Sequence, residues 1–277
     1  MVPIQRYGSL KNRIGAKYYD VTFNNRCRHG GVEFWPRTVY RLHEDYFQVL
    51  KDFGFVDLFY QVNPKLGPWD WVESGAVYIV GGGPSLTGFD FGKLTGCHVI
   101  ACNRSHEFVS ARYLVVWDYE IFLRSDGHGR KLRAKDFKAV FTKPGGVAVH
   151  PKALELEWLS KKGRISDSLA EGIHPVNSGT AALNIAYCLG YNPIFLLGFD
   201  CAVDEEGCRA HFYDDGPWGK AILTSEFGYR PERLESWRVI MDRQKRQYDF
   251  RGVRIYNMSM ESALQTYPKL DWREVFK

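Results

Sequence analysis

The stretch "AVYIVGGGPSLTGFD" (Ala76 to Asp90) runs from an apolar strand directly into three glycines and a proline. Glycine lets a ligand approach the backbone closely because it has no Cβ. Pro84 suits the first position of a helix, and a helix following it would turn free N–H groups and a positive dipole end onto the loop. That combination predicts an anion site, with a phosphate as its occupant, at Gly82, Gly83, Pro84 and Ser85, the alternative being a tight turn with no ligand. The loop lacks the Lys-Ser/Thr of a P-loop, which argues against Walker-type nucleotide hydrolysis. Gly81 and Gly83 match the first two positions of G-x-G-x-x-G, but Leu86 stands at the third and the next strand ends in Asn103 rather than an acid. Both departures disfavour NAD.

Further polar residues stand where strands end. Asn103 closes "HVIACN", where an amide can read ribose hydroxyls or a base edge, or cap a turn. Asp118 closes "YLVVWD", between Trp117 and Tyr119, and is suited to a sugar hydroxyl, a cation or a helix cap. "PVNSGTAALNIAYCLGYNPIFLLGFD" places Ser178 and Gly179 at a helix start and Asp200 at a strand end. The helix start is a second potential anion site or simply a good N-cap. Downstream, "RAHFYDDG" offers His211 as a general base, since histidine as a residue type titrates near neutrality, or as an exposed loop residue, with Tyr213 beside it as a hydrogen-bond donor. Arg209 or Lys143 could stabilise phosphate charge, and Asp214 with Asp215 offers a divalent-cation alternative.

These residues need a scaffold of strand ends. Six apolar segments supply one: 76–80, 98–102, 113–117, 139–142, 193–198 and 253–257. Several are apolar throughout, as strands covered on both faces are. Helical spacing of Ala182, Ile185, Ala186 and Leu189 falls between the fourth and fifth. The interleaving predicts an α/β fold with a doubly wound, mostly parallel sheet, Rossmann-like, over residues 76–277. Residues 1–75 read as an N-terminal extension, partly helical, with an amphipathic helix carrying Val39, Leu42, Tyr46, Leu50 and Phe53 on one face. A basic run on "PERLESWRVIMDRQKRQYDF" (Arg238, Arg243, Lys245, Arg246) reads as a solvated helix face.

The 277 residues carry a net charge of +5, a mild excess suited to an anionic ligand and short of a nucleic-acid footprint. Six cysteines form no C-x-x-C pair, and Cys201, Cys208 and His211 match no common metal spacing. No apolar run reaches the length of about 20 residues that a membrane span needs. A cytoplasmic, reducing location is the expectation.

The ordered set "VGGGPSL", "ACN", "NSGTAALNIAYCLGYNPIFLLGFD" and "VRIYNMSMESAL" resembles the bacterial sialyltransferases that use CMP-sialic acid, and the related glycosyltransferases of flagellin-modification (motility accessory) loci. The archaeal 6-hydroxymethylpterin diphosphokinases have a similar glycine-rich start. The resemblance covers Ala76 to about Leu264. It implies a glycosyltransferase-A-like variant of the fold, with Gly82, Gly83, Pro84, Ser85 and Asn103 holding a nucleotide sugar. It further implies that Ser178, Gly179 and Asp200 face the donor and that Asn257 and Ser259 contact the nucleotide. Two features differ from the sialyltransferases: Ala202 stands where they place a tyrosine, and the only histidine after Asp200 is His211, earlier than their general base.

The expected protein is therefore a glycosyltransferase moving a sugar from a CMP- or UDP-type donor to a hydroxyl acceptor. It needs no cofactor and no metal, and the acceptor is a glycan, a protein, a small molecule or, less in keeping, a nucleic acid. The alternatives are an ATP- and Mg²⁺-dependent diphosphokinase and a non-catalytic nucleotide-binding module. A homo-oligomer is compatible with the sequence, and the compact size suits a phage or accessory-locus enzyme.

Overall fold

The computed structural model describes residues 18–22, 27–29, 32–34, 39–43, 59–63, 73–119, 122, 126–146, 149–159, 163–202, 211–213 and 231–276. The chain divides into two units, Met1–Val72 and Glu73–Lys277.

In the first unit, β1 (Tyr18–Thr22) pairs antiparallel with both β4 (Val39–His43) and β5 (Phe59–Asn63), and β2 (Cys27–His29) pairs with β3 (Val32–Phe34). Within the stretch expected to be helical, "PRTVYRLHEDYFQVLKDFGF" (Pro36 to Phe55), Val39–His43 is a strand. Thr22 faces Val39 and Tyr18 faces His43, so ladder bonds to β1 supply the backbone partners that helical bonds would have supplied. The valine and tyrosine of "VYRLH" also favour an extended chain. Tyr46, Leu50 and Phe53 lie outside the described residues.

The second unit is built on a seven-stranded, all-parallel sheet in the order β10-β9-β8-β7-β6-β11-β12. The strands are β6 (Val77–Val80), β7 (Val99–Cys102), β8 (Tyr113–Val116), β9 (Ala139–Thr142), β10 (Ala153–Glu155), β11 (Ile194–Leu197) and β12 (Ile255–Asn257). All six expected strands are present, and β10 is an addition at the edge. Both faces of the sheet are covered. Val80, Val99, Ala101, Leu114, Val116, Val140 and Leu197 pack into one core with Leu86, Phe89, Val109, Phe122, Phe137 and Leu132, the last from α1 (Asp126–Arg133). Helix α2 (Ser178–Cys188) lies against β6, β7 and β8, and Ala182, Ile185, Ala186 and Leu189 are fully buried. This is an α/β, Rossmann-like arrangement.

Helix α3 (Pro231–Phe250) packs beside α2 through Tyr187 and Tyr248, whose ring centres are 5.6 Å apart. Its basic run is not uniformly solvated. Lys245 is buried, pairs with Asp249 and stands 5.8 Å over the Tyr267 ring. The short α4 (Trp272–Val275) sets Trp272 edge-on to Phe89 at 4.9 Å.

The glycine turn is not followed by a full helix. Pro84–Leu86 is a single 3₁₀ turn, and Phe91–Leu94 is another, started by the Asp90 carboxylate accepting from Gly92 N–H at 2.9 Å. Between them Gly88 takes φ +76, a left-handed conformation that ends a right-handed helix.

Candidate functional site

Strand order reverses at β6, which lies between β7 and β11. In open parallel sheets that is where the loops beyond the carboxyl ends part to form a crevice. Most of the expected site residues lie along this edge.

In this chain the turn after β6 instead closes on the turn after β11. Gly83 N–H donates to the Gly198 carbonyl at 2.9 Å, and a Cβ at Gly83 would run into the Asp200 carboxylate. Asp200 is 5% exposed and spends its charge inside the protein. Its Oδ2 accepts from Ser85 N–H at 2.8 Å and its Oδ1 from the Ser85 hydroxyl at 2.6 Å. Ser85 Oγ shares a 2.9 Å hydrogen bond with the Ser259 hydroxyl, which also accepts from Gly198 N–H at 3.2 Å. Asn257 supports this from beneath: its Oδ1 accepts from Ser259 N–H at 3.1 Å and its Nδ2 donates to the Phe199 carbonyl at 3.3 Å. Asn257 is fully buried and Ser259 is 2% exposed. Asp200, Asn257 and Ser259 thus form a buried brace for Ser85, and their polar atoms point into protein.

The second group gathers at the ends of β7 and β8 and the start of α2. Asn103 Nδ2 donates to Ser178 Oγ at 2.9 Å and to Asp118 Oδ2 at 3.2 Å, while its Oδ1 accepts from Trp117 N–H at 3.1 Å. Asn103 has φ 47, uncommon for a residue with a Cβ and a mark of sites where surrounding structure imposes the conformation. His106 helps impose it, its Nδ1 donating to the Asn103 carbonyl at 2.7 Å. Ser105, fully buried, accepts from Cys102 N–H at 2.9 Å and reaches the Val80 carbonyl at 2.8 Å, tying the end of β7 to the end of β6. Burial pushes the Cys102 thiol up to about 12, so it stays protonated against the Ser178 carbonyl, 3.8 Å away. At α2 the Asn177 side chain accepts from Thr180 N–H at 2.8 Å, and Thr180 Oγ1 accepts from Asn177 N–H at 3.2 Å. This reciprocal cap sets where the helix begins and so where Ser178 stands. Gly179 serves close packing, since a Cβ there would come 2.7 Å from the Phe199 ring.

The third group comes from a distant part of the chain. Phe212 N–H donates to the Gly82 carbonyl at 2.8 Å, which pins residues 211–213 onto the glycine turn. His211 and Tyr213 lie parallel, ring centres 4.9 Å apart and 9° from coplanar orientation. A Cβ at Gly82 would stand 2.8 Å from the Tyr213 hydroxyl and would collide with His211. Glycine is required there for the two rings to close on the turn. Arg104 stacks over Tyr213 at 4.7 Å. Arg209, Asp214, Asp215 and Cys208 lie outside the described residues. Cys201, whose thiol burial and neighbouring Asp200 push up to about 12, has its sulfur 3.9 Å from that of Met241.

Sequence reading passes over three residues here: Ser105, Arg104 and Trp158. Trp158 is 47% exposed, with its ring centre 5.3 Å from that of buried Trp117. Arg104 and Ser105 follow Asn103 directly, so a strand-end asparagine was the available signal. Trp158 gave none, because β10 itself was not expected.

No family model and no curated protein matches the chain. Solved structures similar to it include two glycosyltransferases. One is the MAf glycosyltransferase from Magnetospirillum magneticum AMB-1, 13% identical, with a TM-score of 0.41 over 73% of this chain and 34% of that one. The chain spans only about a third of that protein's length. The other is the sialyltransferase CstII from Campylobacter jejuni in complex with a substrate analogue, cytidine-5′-monophosphate, 15% identical, with a TM-score of 0.35 over 70% of this chain and 83% of that one. Among the described residues no helix is long and apolar enough to cross a membrane.

Proposed function

We propose that the second unit is a glycosyltransferase that takes a sugar from a nucleotide-sugar donor of CMP or UDP type and gives it to a hydroxyl acceptor. The observation that carries this reading is the Phe212-to-Gly82 hydrogen bond, which sets a histidine and a tyrosine on the glycine turn, beside the Asn103–Ser178 pair. In this reading the nucleotide lies across the ends of β6, β7 and β8. Asn103, Ser178 and exposed Asp118 meet the ribose, and the exposed face of Trp158 offers the base a stacking surface. The phosphate and the sugar lie toward Gly82.

The acceptor oxygen attacks the anomeric carbon as the bond from that carbon to the phosphate oxygen breaks. His211 takes the acceptor proton, and Tyr213 donates a hydrogen bond to the departing phosphate. Attack opposite the leaving group inverts the anomeric centre. Asp200 acts as a positioning residue through Ser85, and Asn257 and Ser259 hold that pair. No step in this scheme calls for a metal or an organic cofactor.

The test is release of CMP or UDP from CMP-sialic acid and a panel of UDP-sugars, with glycan, peptide and small-molecule acceptors. The expected result is nucleotide release that His211→Ala lowers by about 10²–10⁴-fold and that Tyr213→Phe lowers less. Equal rates in wild type and His211→Ala would overturn the assignment. Mg²⁺-dependent conversion of ATP to AMP, with no nucleotide sugar consumed, would replace it with the diphosphokinase.

A further inference from the structure

From Gly83 to Leu86 the turn expected to cradle a phosphate has its N–H groups committed within the protein, Gly83 N–H to the Gly198 carbonyl at 2.9 Å. Pro84 has no N–H, Ser85 N–H is given to Asp200, and Leu86 N–H goes to the Gly83 carbonyl at 3.2 Å. The Asp200 carboxylate would also repel a second anion brought to the same place. A phosphate entering this crevice has to be neutralised from another direction.

Arg104 is placed to do so. It follows Asn103 at the end of β7, and its guanidinium is held on two sides. Nε donates to Glu107 Oε1 at 3.1 Å, and the guanidinium carbon stands 4.7 Å from the centre of the Tyr213 ring. Tyr213 is in turn fixed against His211 and Gly82, and Phe108 lies nearly parallel to it at 6.0 Å. Glu107 is itself shared with Lys131, which donates to its other oxygen at 2.7 Å. Its charge is therefore not Arg104's alone to neutralise. The Arg104 side chain keeps 23% of its surface accessible. A planar fork fixed along one edge and across one face presents its terminal nitrogens as an oriented pair, the geometry that bidentate recognition of a phosphate uses.

We propose that Arg104 is the phosphate-binding cation of this cleft, gripping the non-bridging oxygens of the nucleotide's phosphate beside Gly82 and Tyr213. The proposal rests on the nucleotide-sugar reading above. It places the leaving group next to the Tyr213 hydroxyl rather than on the Pro84 turn.

Calorimetric titration of the full chain with cytidine, CMP, uridine and UDP tests it, using wild type, Arg104→Gln and Arg104→Lys, each checked for an unchanged melting profile. Arg104→Gln is expected to weaken CMP or UDP by about tenfold or more, the range for a charged hydrogen bond, and the matching nucleoside by less than about twofold. Arg104→Lys falls between, since an ammonium keeps the charge and loses the fork. Equal weakening of nucleoside and nucleotide would show that Arg104 only props Tyr213, and no weakening of either would remove it from the site; both overturn the proposal. Wild-type protein that binds none of the four overturns the nucleotide reading itself.

Discussion

Asn103 commits its side-chain amide to three partners while its backbone stands at φ 47. A non-glycine residue held there costs about 1–3 kcal/mol, which the surrounding contacts must offset. Asn103→Gly relieves that cost and loses the side-chain bonds, two effects of opposite sign on stability. Nucleotide affinity has no such compensation, because Ser178 and Asp118 lose the amide that aligns them. We expect the variant to melt within a few degrees of wild type and to bind nucleotide about tenfold or more weakly, read by thermal unfolding and titration on one preparation. Strong destabilisation with unchanged affinity would make Asn103 a purely structural residue. At this scale the sequence was legible as chemistry but not as geometry. Asn103, Asp118 and Ser178 could each be picked as polar ends of apolar segments, whereas their mutual hydrogen bonds span 75 and 15 residues of chain. Asp200 shows the same limit. A carboxylate at a strand end looks available for chemistry until Ser85, 115 residues away, is seen to occupy both of its oxygens.

Among the elements, those with a strong apolar pattern were readable and those set by turns were not. "AVFT" is β9 to the residue, and "PERLESWRVIMDRQKRQYDF" is α3 to the residue. The helix expected after Pro84 is one 3₁₀ turn because Gly88 sits left-handed, and β10 is too short for alternation to show. Val39–His43 has spacing that suits a helix face, but strand pairing with β1 prevails. Helix α2 shows how an element positions a side chain of the proposed site. Its start is fixed by the exchange between Asn177 and Thr180, one residue before Ser178 and three after Asn177. Asn177→Ala should cost about 0.5–2 kcal/mol in urea unfolding. It should also weaken nucleotide binding by letting the first turn fray at Ser178. Loss of stability with no change in affinity would mean that Ser178 does not touch the ligand.

At the scale of the whole second unit, the proposed site lies at the carboxyl edge of the sheet and a charged anchor at the opposite edge. Glu73 is 9% exposed and accepts from Tyr113 OH at 2.6 Å, from Lys138 Nζ at 2.5 Å and from Arg112 at 3.1 and 3.2 Å. Burial raises its carboxyl, but the bonds from Lys138, Tyr113 and Arg112 outweigh burial and hold it at about 2. A carboxylate depressed in the folded state contributes stability above its unfolded value near 4.5 and loses that contribution as pH falls toward 2. Glu73→Gln should therefore cost about 2 kcal/mol at pH 7, and the gap from wild type should close as unfolding is followed from pH 5 down to pH 2. A gap that stays constant over that range would show that the charge is not what matters at Glu73. Nucleotide affinity at neutral pH should be unaffected, since the anchor and the cleft lie at opposite ends of the strands.

The central claim is that this carboxyl-edge cleft binds a nucleotide, and thermal unfolding of the full chain with and without ligand tests it most directly. The panel is CMP, UDP, GDP, ADP and ATP, each with and without Mg²⁺, on wild type and Asn103→Gly. A ligand at 100 times its dissociation constant adds about 2.7 kcal/mol to the folded state. For a unit of this size that is a rise of about 5–10 °C. That rise is expected with CMP or UDP, without metal, and a smaller one in the variant. A melting temperature unmoved by any member of the panel would contradict it.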